Sequence, residues 1–408
     1  TAADFFSGSA HRASCVIQVC RFYYKNCKRY DRGRPTFAET CASYRYKLLY
    51  FSGFKLCGRR IPRRTCAKKY CLRRPVCLHV YRGDVKAQRN WIDLACYVTL
   101  FPQLIAGPIV RYSTVAQELK TRKTTLSDFS VGVRRFVTGL GKKVLIANLL
   151  GEFCTVYRES QDTAVLFAWL YAIAFSLQIY FDFSAYSDMA IGLGRIFGFH
   201  FDENFNYPYI SKSITEFWRR WHISLGTWFR DYLYIPLGGN RVKIPRHIFN
   251  IFVVWALTGL WHGAGWNFVL WGLYFGILLV AEKFLFKKVI KKTPSVIRHI
   301  YVIVAVIISF VIFNADSFGM IKNDLGALFG TSGLPFISAE TVYYLKSYTV
   351  VFAVALFGAT PLCKKLCEKI EGKKGVGILT AISICVILIV STAYLVDGSF
   401  NPFLYFRF

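Results

Sequence analysis

The sequence predicts an all-α fold, a polytopic membrane protein built as a transmembrane helix bundle, and three observations carry that prediction. First, 54% of the 408 residues are hydrophobic and 17% are aromatic, too apolar for an ordinary soluble domain. Second, several uncharged runs approach the ~20 residues that cross a bilayer: residues 164–181, 249–260 with 266–281, 300–315, 349–362 and 376–396. Third, the cations behind the net charge of +29 sit in loops between these runs. Basic inter-helix loops follow from the preference of Lys and Arg for the cytoplasmic face. A nucleic-acid partner is excluded, because no basic stripe with interleaved aromatics lies on a soluble fold.

Residues 1–79 have a different texture from the rest. They carry 18 Lys/Arg against 3 Asp/Glu and hold 8 of the 13 cysteines, and their longest uncharged stretch, residues 13–20, is far short of a span. No Cys-x-x-Cys pair suggests a metal site, and basic residues interrupt every apolar run that could serve as a signal peptide. We read 1–79 as a non-native, frame-shift-like translation or a disordered segment, with a genuine basic cytosolic extension as the alternative. Residues 80–408 then form the functional domain, incomplete at its amino-terminal side.

Within that domain, residues 91–110 are apolar but interrupted by Pro102 and Pro108, which predicts a kinked or re-entrant segment. Residues 131–150 have helical spacing but include Arg134, Arg135, Lys142 and Lys143, so they are expected along the cytoplasmic interface. The span 164–181 leads into a polar stretch in which Gln178 and Asp182, four apart, share a helix face. Asp182 either orients a catalytic group or pairs with a buried arginine. Ser213 and Glu216 have capping-box spacing, so a helix is expected to begin at Ile214. On one continuous helix, Trp218, His222, Leu225 and Phe229 would share a face, with Arg219 and Arg230 together off it, and the turn-rich 235–241 would end it. His222 is either a tucked interfacial histidine or a site group.

Between two apolar arms lies Trp261-His262-Gly263-Ala264-Gly265. An ionisable group embedded this way is a functional candidate, and histidine suits acid/base work near pH 7; a structural ring bonded to a backbone carbonyl is the alternative. Gly263 and Gly265 leave room for an acyl chain or backbone to approach. The basic loops 283–292 and 364–374 flank two spans and a long neutral loop, 314–346. Both basic loops are therefore expected inside, with the carboxy terminus outside.

Taken together, the motifs resemble the membrane-bound O-acyltransferase family, most nearly the branch containing the membrane subunit of alginate O-acetyltransferase. The resemblance rests on Val80-Tyr81-Arg82-Gly83-Asp84, Leu104-Ile105-Ala106-Gly107-Pro108, the run 180–194, the run 213–225, the run 231–241, Gly259-Leu260-Trp261-His262-Gly263 and Asn401-Pro402-Phe403-Leu404-Tyr405-Phe406. It covers residues 80–408; apolar helices, which the family has upstream, are missing from 1–79. The resemblance implies a many-helix bundle around a central funnel or tunnel, with His262 the principal catalytic residue and His222 the second histidine. It implies acetyl-CoA as the acyl donor from the cytoplasmic side, with no permanently bound cofactor. The acyl group would pass to an exported polysaccharide through a periplasmic or extracellular acetyltransferase-like partner, in a bacterial cytoplasmic membrane.

For thioester transfer, His262 suits the role of base and His222 could hold the donor or polarise its carbonyl. The candidate substrate contacts are Gln178, Asp182, Asp188, Trp218, Arg219, Arg220, Arg241, Trp261 and Asn267. The arginines suit CoA phosphates, with simple headgroup attraction as the alternative. No metal ligand set stands out. D-alanyl transfer to teichoic acid and peptidoglycan O-acetylation are rival chemistries on the same fold. A polysaccharide or lipid transporter is a rival of another class, although no repeated halves are visible.

Overall fold

The computed structural model describes residues 90–103, 107–263, 265–370, 372–398 and 403–404. The segment 1–79, the motif at 80–84, Leu104-Ile105-Ala106, Ala264 and most of the carboxy-terminal motif lie outside the described residues. Among the described residues all regular elements are helical. The described residues fall into two compact units, one ending at Lys123 and one beginning, apart from Gly107 and Pro108, at Thr124.

In the first unit, α1 (Trp91–Val98) starts where the Asn90 side chain accepts the Ile92 N–H at 2.9 Å. It ends at Val98, where the Thr99 N–H donates to the Ala95 carbonyl at 2.9 Å, ahead of a 3₁₀ turn, Phe101–Gln103. The Tyr97 hydroxyl donates to the Val110 carbonyl at 2.9 Å, drawing the chain back on itself before the short helices α2 (Tyr112–Val115) and α3 (Glu118–Thr121).

The second unit is built on one long helix. α4 (Leu126–Gly141), a π-helical turn (Lys142–Ala147) and α5 (Asn148–Glu159) run on without a break and then return as α6 (Val165–Ile196). At 32 residues, α6 is about 48 Å long, well beyond the ~30 Å of bilayer hydrocarbon. Small residues let α4 lie close against it: a Cβ at Gly132 would stand 2.7 Å from the Gly192 carbonyl oxygen, and one at Gly139 2.8 Å from that of Ala185. Three of the four cations in this stretch are turned toward α6, while Arg134 stays exposed. Arg135 and Lys142 pair with Asp188 at 2.9 and 2.7 Å, and Lys143 pairs with Asp182 at 2.5 Å, because α6 presents carboxylates there. The partner of Asp182 is thus a lysine, not the arginine the sequence suggested.

Two short helices, α7 (Ile214–Arg220) and α8 (Ile223–Phe229), precede the hairpin of α9 (Ile244–His262) and α10 (Trp266–Val280). The hairpin is tight because Gly259 and Gly272 leave no side chain between its arms: a Cβ on either would collide with the backbone of Phe268 or Trp255. After α11 (Lys287–Lys292) come α12 (Ser295–Asn314), α13 (Phe318–Leu328), α14 (Ala339–Gly358), α15 (Leu362–Ile370) and α16 (Val376–Asp397). Among the described residues five helices are long and apolar enough to cross a membrane: α6, α10 with its π-helical extension to Leu285, α12, α14 and α16. The core gathers around α6, where Phe153, Phe167, Phe181, Phe217 and Phe275 are fully buried.

Candidate active site

Site construction begins at the start of α7. Ser213 caps it, its hydroxyl accepting the Glu216 N–H at 3.0 Å, as the spacing predicts. A second cap comes from far along the chain: the buried carboxylate of Glu282 accepts the N–H of Ile214 at 2.6 Å and of Thr215 at 3.2 Å. An anion at these unpaired N–H groups also complements the helix dipole.

The single helix expected through 214–229 is broken. His222 adopts a left-handed backbone conformation, φ 45° and ψ 56°, between α7 and α8. A non-glycine residue there is strained and needs outside support. The segment 204–206 supplies it: Ile223 N–H donates to the Asn204 carbonyl and Asn206 N–H to the Arg220 carbonyl, each at 2.9 Å. At the break His222 is turned into the protein interior, where it is 5% exposed. Its Nδ1 lies 3.0 Å from Asn204 Oδ1, and the Phe183 ring stands edge-on to it at 4.7 Å. Burial, then the neighbouring His262, push His222 well below the ordinary imidazole range, to about 3.

His262 ends α9, half-buried at the hairpin tip. Trp261, Trp271 and Phe313 stand edge-on to its ring at 4.8, 5.1 and 5.2 Å. The two histidines line one cavity of about 60 Å³, shared with Asp182, Tyr186, Trp218 and Thr258 and otherwise apolar. Beside it lies a larger cavity of about 540 Å³ that has Trp218, His222, Leu225 and Thr258 as common walls. Its remaining lining includes three cations, Arg219, Arg230 and Lys283. Ile251, Val254, Trp255 and Thr258 of α9 face this vestibule and His262 faces the chamber. That stripe recurs every three or four residues, so one helix face leads from vestibule to chamber.

Among the residues singled out from sequence, His222, His262, Asp182 and Trp218 therefore meet at the chamber and Arg219 lines the vestibule. Trp261 flanks both histidine rings. Asp188 lines a third cavity of about 620 Å³ with Arg134, Arg135, Lys142 and Lys364. Besides Trp261, four candidates line none of these three cavities. Gln178 packs against Gly151, Asn267 donates to the Phe313 carbonyl at 2.9 Å, Arg220 pairs with Glu216 at 3.0 Å, and Arg241 is exposed in the turn after Gly239. Asn204, Thr258, Lys143 and Glu282 were missed as site-building residues. Only Asn204 gave a local signal, a turn-forming residue in a polar stretch.

Asp182, 3% exposed, accepts from Lys143 Nζ and, at 2.8 Å, from the Leu404 backbone N–H. It thereby ties the chain's last described residues, Phe403 and Leu404, into the chamber wall. Among the described residues no cluster of His, Cys, Asp and Glu could hold a metal ion.

Comparison with known proteins places the sequence in a family. The model of the membrane-bound O-acyltransferase family matches residues 37–321, a stretch that opens inside 1–79. The protein named probable alginate O-acetylase in Azotobacter vinelandii is 38% identical over 362 residues, 81% of this chain and 72% of that protein. Its namesake in Pseudomonas putida is 40% identical over 348 residues, again 81% and 72%. The peptidoglycan O-acetyltransferase of Helicobacter pylori is 32% identical over 342 residues, 78% of this chain and 65% of that protein.

Proposed function

Because the chain belongs to the membrane-bound O-acyltransferase family, we propose that it carries an acetyl group from acetyl-CoA on the cytoplasmic side to hydroxyls of an exported polysaccharide. Alginate is the acceptor named for its relatives, and an acetyltransferase-like partner outside the membrane completes the delivery. The chain is an O-acyltransferase and a multi-pass membrane protein; the bacterial cytoplasmic membrane is the location this reading requires.

The observation that carries the proposal is the common wall between a cationic vestibule and a chamber holding two histidines. Lys283 opens the basic loop that charge asymmetry assigns to the cytoplasm, so the vestibule is oriented to receive a donor from that side. Arg219, Arg230 and Lys283 suit the phosphates of CoA, and the α9 face gives the thioester arm a path to His262. In the chamber, His262 takes the proton of the attacking hydroxyl while its oxygen bonds to the thioester carbonyl carbon. The tetrahedral intermediate collapses, the carbon–sulfur bond breaks, and His262 returns the proton to the leaving sulfur, releasing the ester and CoA thiol. The small, apolar chamber excludes the water that would otherwise hydrolyse the thioester.

Radiolabelled acetyl-CoA supplied to inverted membranes tests this. Label should appear on alginate chains in ester linkage, and His262→Ala should lower the rate by roughly 10²–10⁴-fold, the scale of a lost general base, with unchanged protein level. Transfer that survives the substitution removes His262 as the base, and label that crosses without an ester bond supports a transporter. Peptidoglycan is the second acceptor to try, favoured by the Helicobacter relative. Label on peptidoglycan strands and none on alginate would reassign the acceptor; a D-alanyl thioester used in place of acetyl-CoA would reassign the donor.

A further inference from the structure

The hydrogen bonds around Asn204 fix more than the fold of the His222 corner. Asn204 is completely buried. Its Oδ1 accepts from the Ser224 backbone N–H at 3.2 Å and from the Ser224 hydroxyl at 2.8 Å, while its Nδ2 donates to the Ser187 hydroxyl at 3.1 Å. A backbone N–H can only donate, so the atom facing it is the amide oxygen; the flipped amide would set two donors against each other. His222 Nδ1 lies 3.0 Å from that same oxygen. A lone pair on Nδ1 would there oppose the lone pairs of Oδ1. The hydrogen bond forms only if Nδ1 carries the proton.

We propose that Asn204 is a positioning residue that holds His222 as the neutral Nδ1–H tautomer, leaving Nε2 as a hydrogen-bond acceptor toward the chamber. In this state His222 cannot polarise the donor carbonyl, which would require a proton on Nε2. It receives the hydrogen of a hydroxyl instead, and so orients the attacking alcohol while His262 removes the proton. The assignment of these roles rests on the acyl-transfer reading; the tautomer does not.

Several charged or titratable groups share cavities with His222: His262 and Asp182 in the chamber, and Arg219, Arg230 and Lys283 in the vestibule. Behind Asn204, in the third cavity, stand Asp188 and Glu203, both paired with Arg135. Asp182 is likewise paired, with Lys143. The burial that depresses the His222 pKa keeps the ring neutral through the physiological range, as the proposal requires.

The test uses the whole enzyme in lipid membranes with ¹⁵N-labelled histidine. The chain has seven histidines, and a His222→Gln sample identifies the signal that belongs to His222. The expected spectrum at pH 7 shows His222 protonated at Nδ1 and bare at Nε2; a proton on Nε2 overturns the proposal. That readout needs no substrate, so it stands even if acetyl-CoA proves not to be the donor. The same signal gives a second measurement. Asn204→Asp keeps an acceptor for Nδ1–H but adds negative charge, which favours the imidazolium and should raise the pH at which both His222 nitrogens become protonated by about one unit or more. Asn204→Ala removes the acceptor and should lower kcat by about tenfold to a hundredfold, the range for losing a ring-orienting partner. A His222 titration unmoved in Asn204→Asp would mean that Asn204 only supports the fold, and it too overturns the proposal.

Discussion

The two histidines share a chamber but are held by opposite means. His262 sits at the tip of a hairpin made by shape, in which glycines at 259 and 272 bring two helices into backbone contact and aromatic rings box the imidazole. His222 sits at a strained corner made by hydrogen bonds, with Asn204 serving the ring, a backbone N–H and two hydroxyls at once. Packing fixes where a ring lies. A directional bond fixes which nitrogen carries the proton. The corner is therefore the region that should respond to a single-atom change, and the hairpin the one that should respond to a change in bulk.

The largest expected effect sharpens the hairpin side of this contrast. His262→Ala should cost up to ten-thousand-fold in acetyl transfer, as described above, while thermal unfolding of the membrane protein barely moves; a large loss of folded protein would show that the ring also holds the hairpin together. Next comes the wall that both regions share. Asp182→Ala strands the buried Lys143 ammonium, and removing one partner of a buried pair typically costs about 3–5 kcal/mol. It also frees Leu404 from the chamber wall. Unfolding followed in detergent should show the loss, and a change under 1 kcal/mol would mean that water or lipid headgroups reach Lys143.

The corner can be weakened from a distance through Glu282. Glu282→Gln keeps the size but lowers the strength of two backbone hydrogen bonds, whose charged versions are worth about 1.5–3 kcal/mol each. The protein should be less stable and the activity of the folded fraction reduced, because α7 sets the approach to His222. Normal specific activity in that fraction would uncouple the cap from the corner. The smallest effect should come from the vestibule: Arg219→Ala should raise the KM for acetyl-CoA several-fold with kcat nearly unchanged, because an arginine there would bind donor phosphate and not the reacting atoms. An unchanged KM would take Arg219 out of the donor's path.

Much of the scaffold was legible from sequence. Apolar runs marked all five spans at least in part, although 249–260 fell in α9, outside the five, and 349–362 caught only the second half of α14; α6 continues through the polar residues 182–188 because its carboxylates find Lys143, Lys142 and Arg135 on the neighbouring helix. Ser213 and Glu216 marked the start of α7 correctly. The break at His222 left no trace, since Trp218, His222, Leu225 and Phe229 keep helical spacing across it. What breaks the helix is a segment reaching in from residue 204, and periodicity cannot see a partner that far away. Glu282 was hidden for a similar reason: beside a run of lysines it reads as part of a solvated loop, and only the fold carries it to the start of α7. The two arginines that line no cavity, Arg220 and Arg241, were drawn in by residue type alone.

One strut joins the two kinds of construction. α10 with its extension is a rigid rod of 20 residues, about 30 Å end to end. The turn from His262 leaves from its beginning, and the carboxylate that clamps α7 stands close to its end. The rod works as a gauge block, setting how far apart His262 and the carboxylate that anchors the His222 corner can be. A residue inserted midway along α10 would rotate Glu282 by about 100° around the axis. That would spoil the alignment of both histidines without touching either.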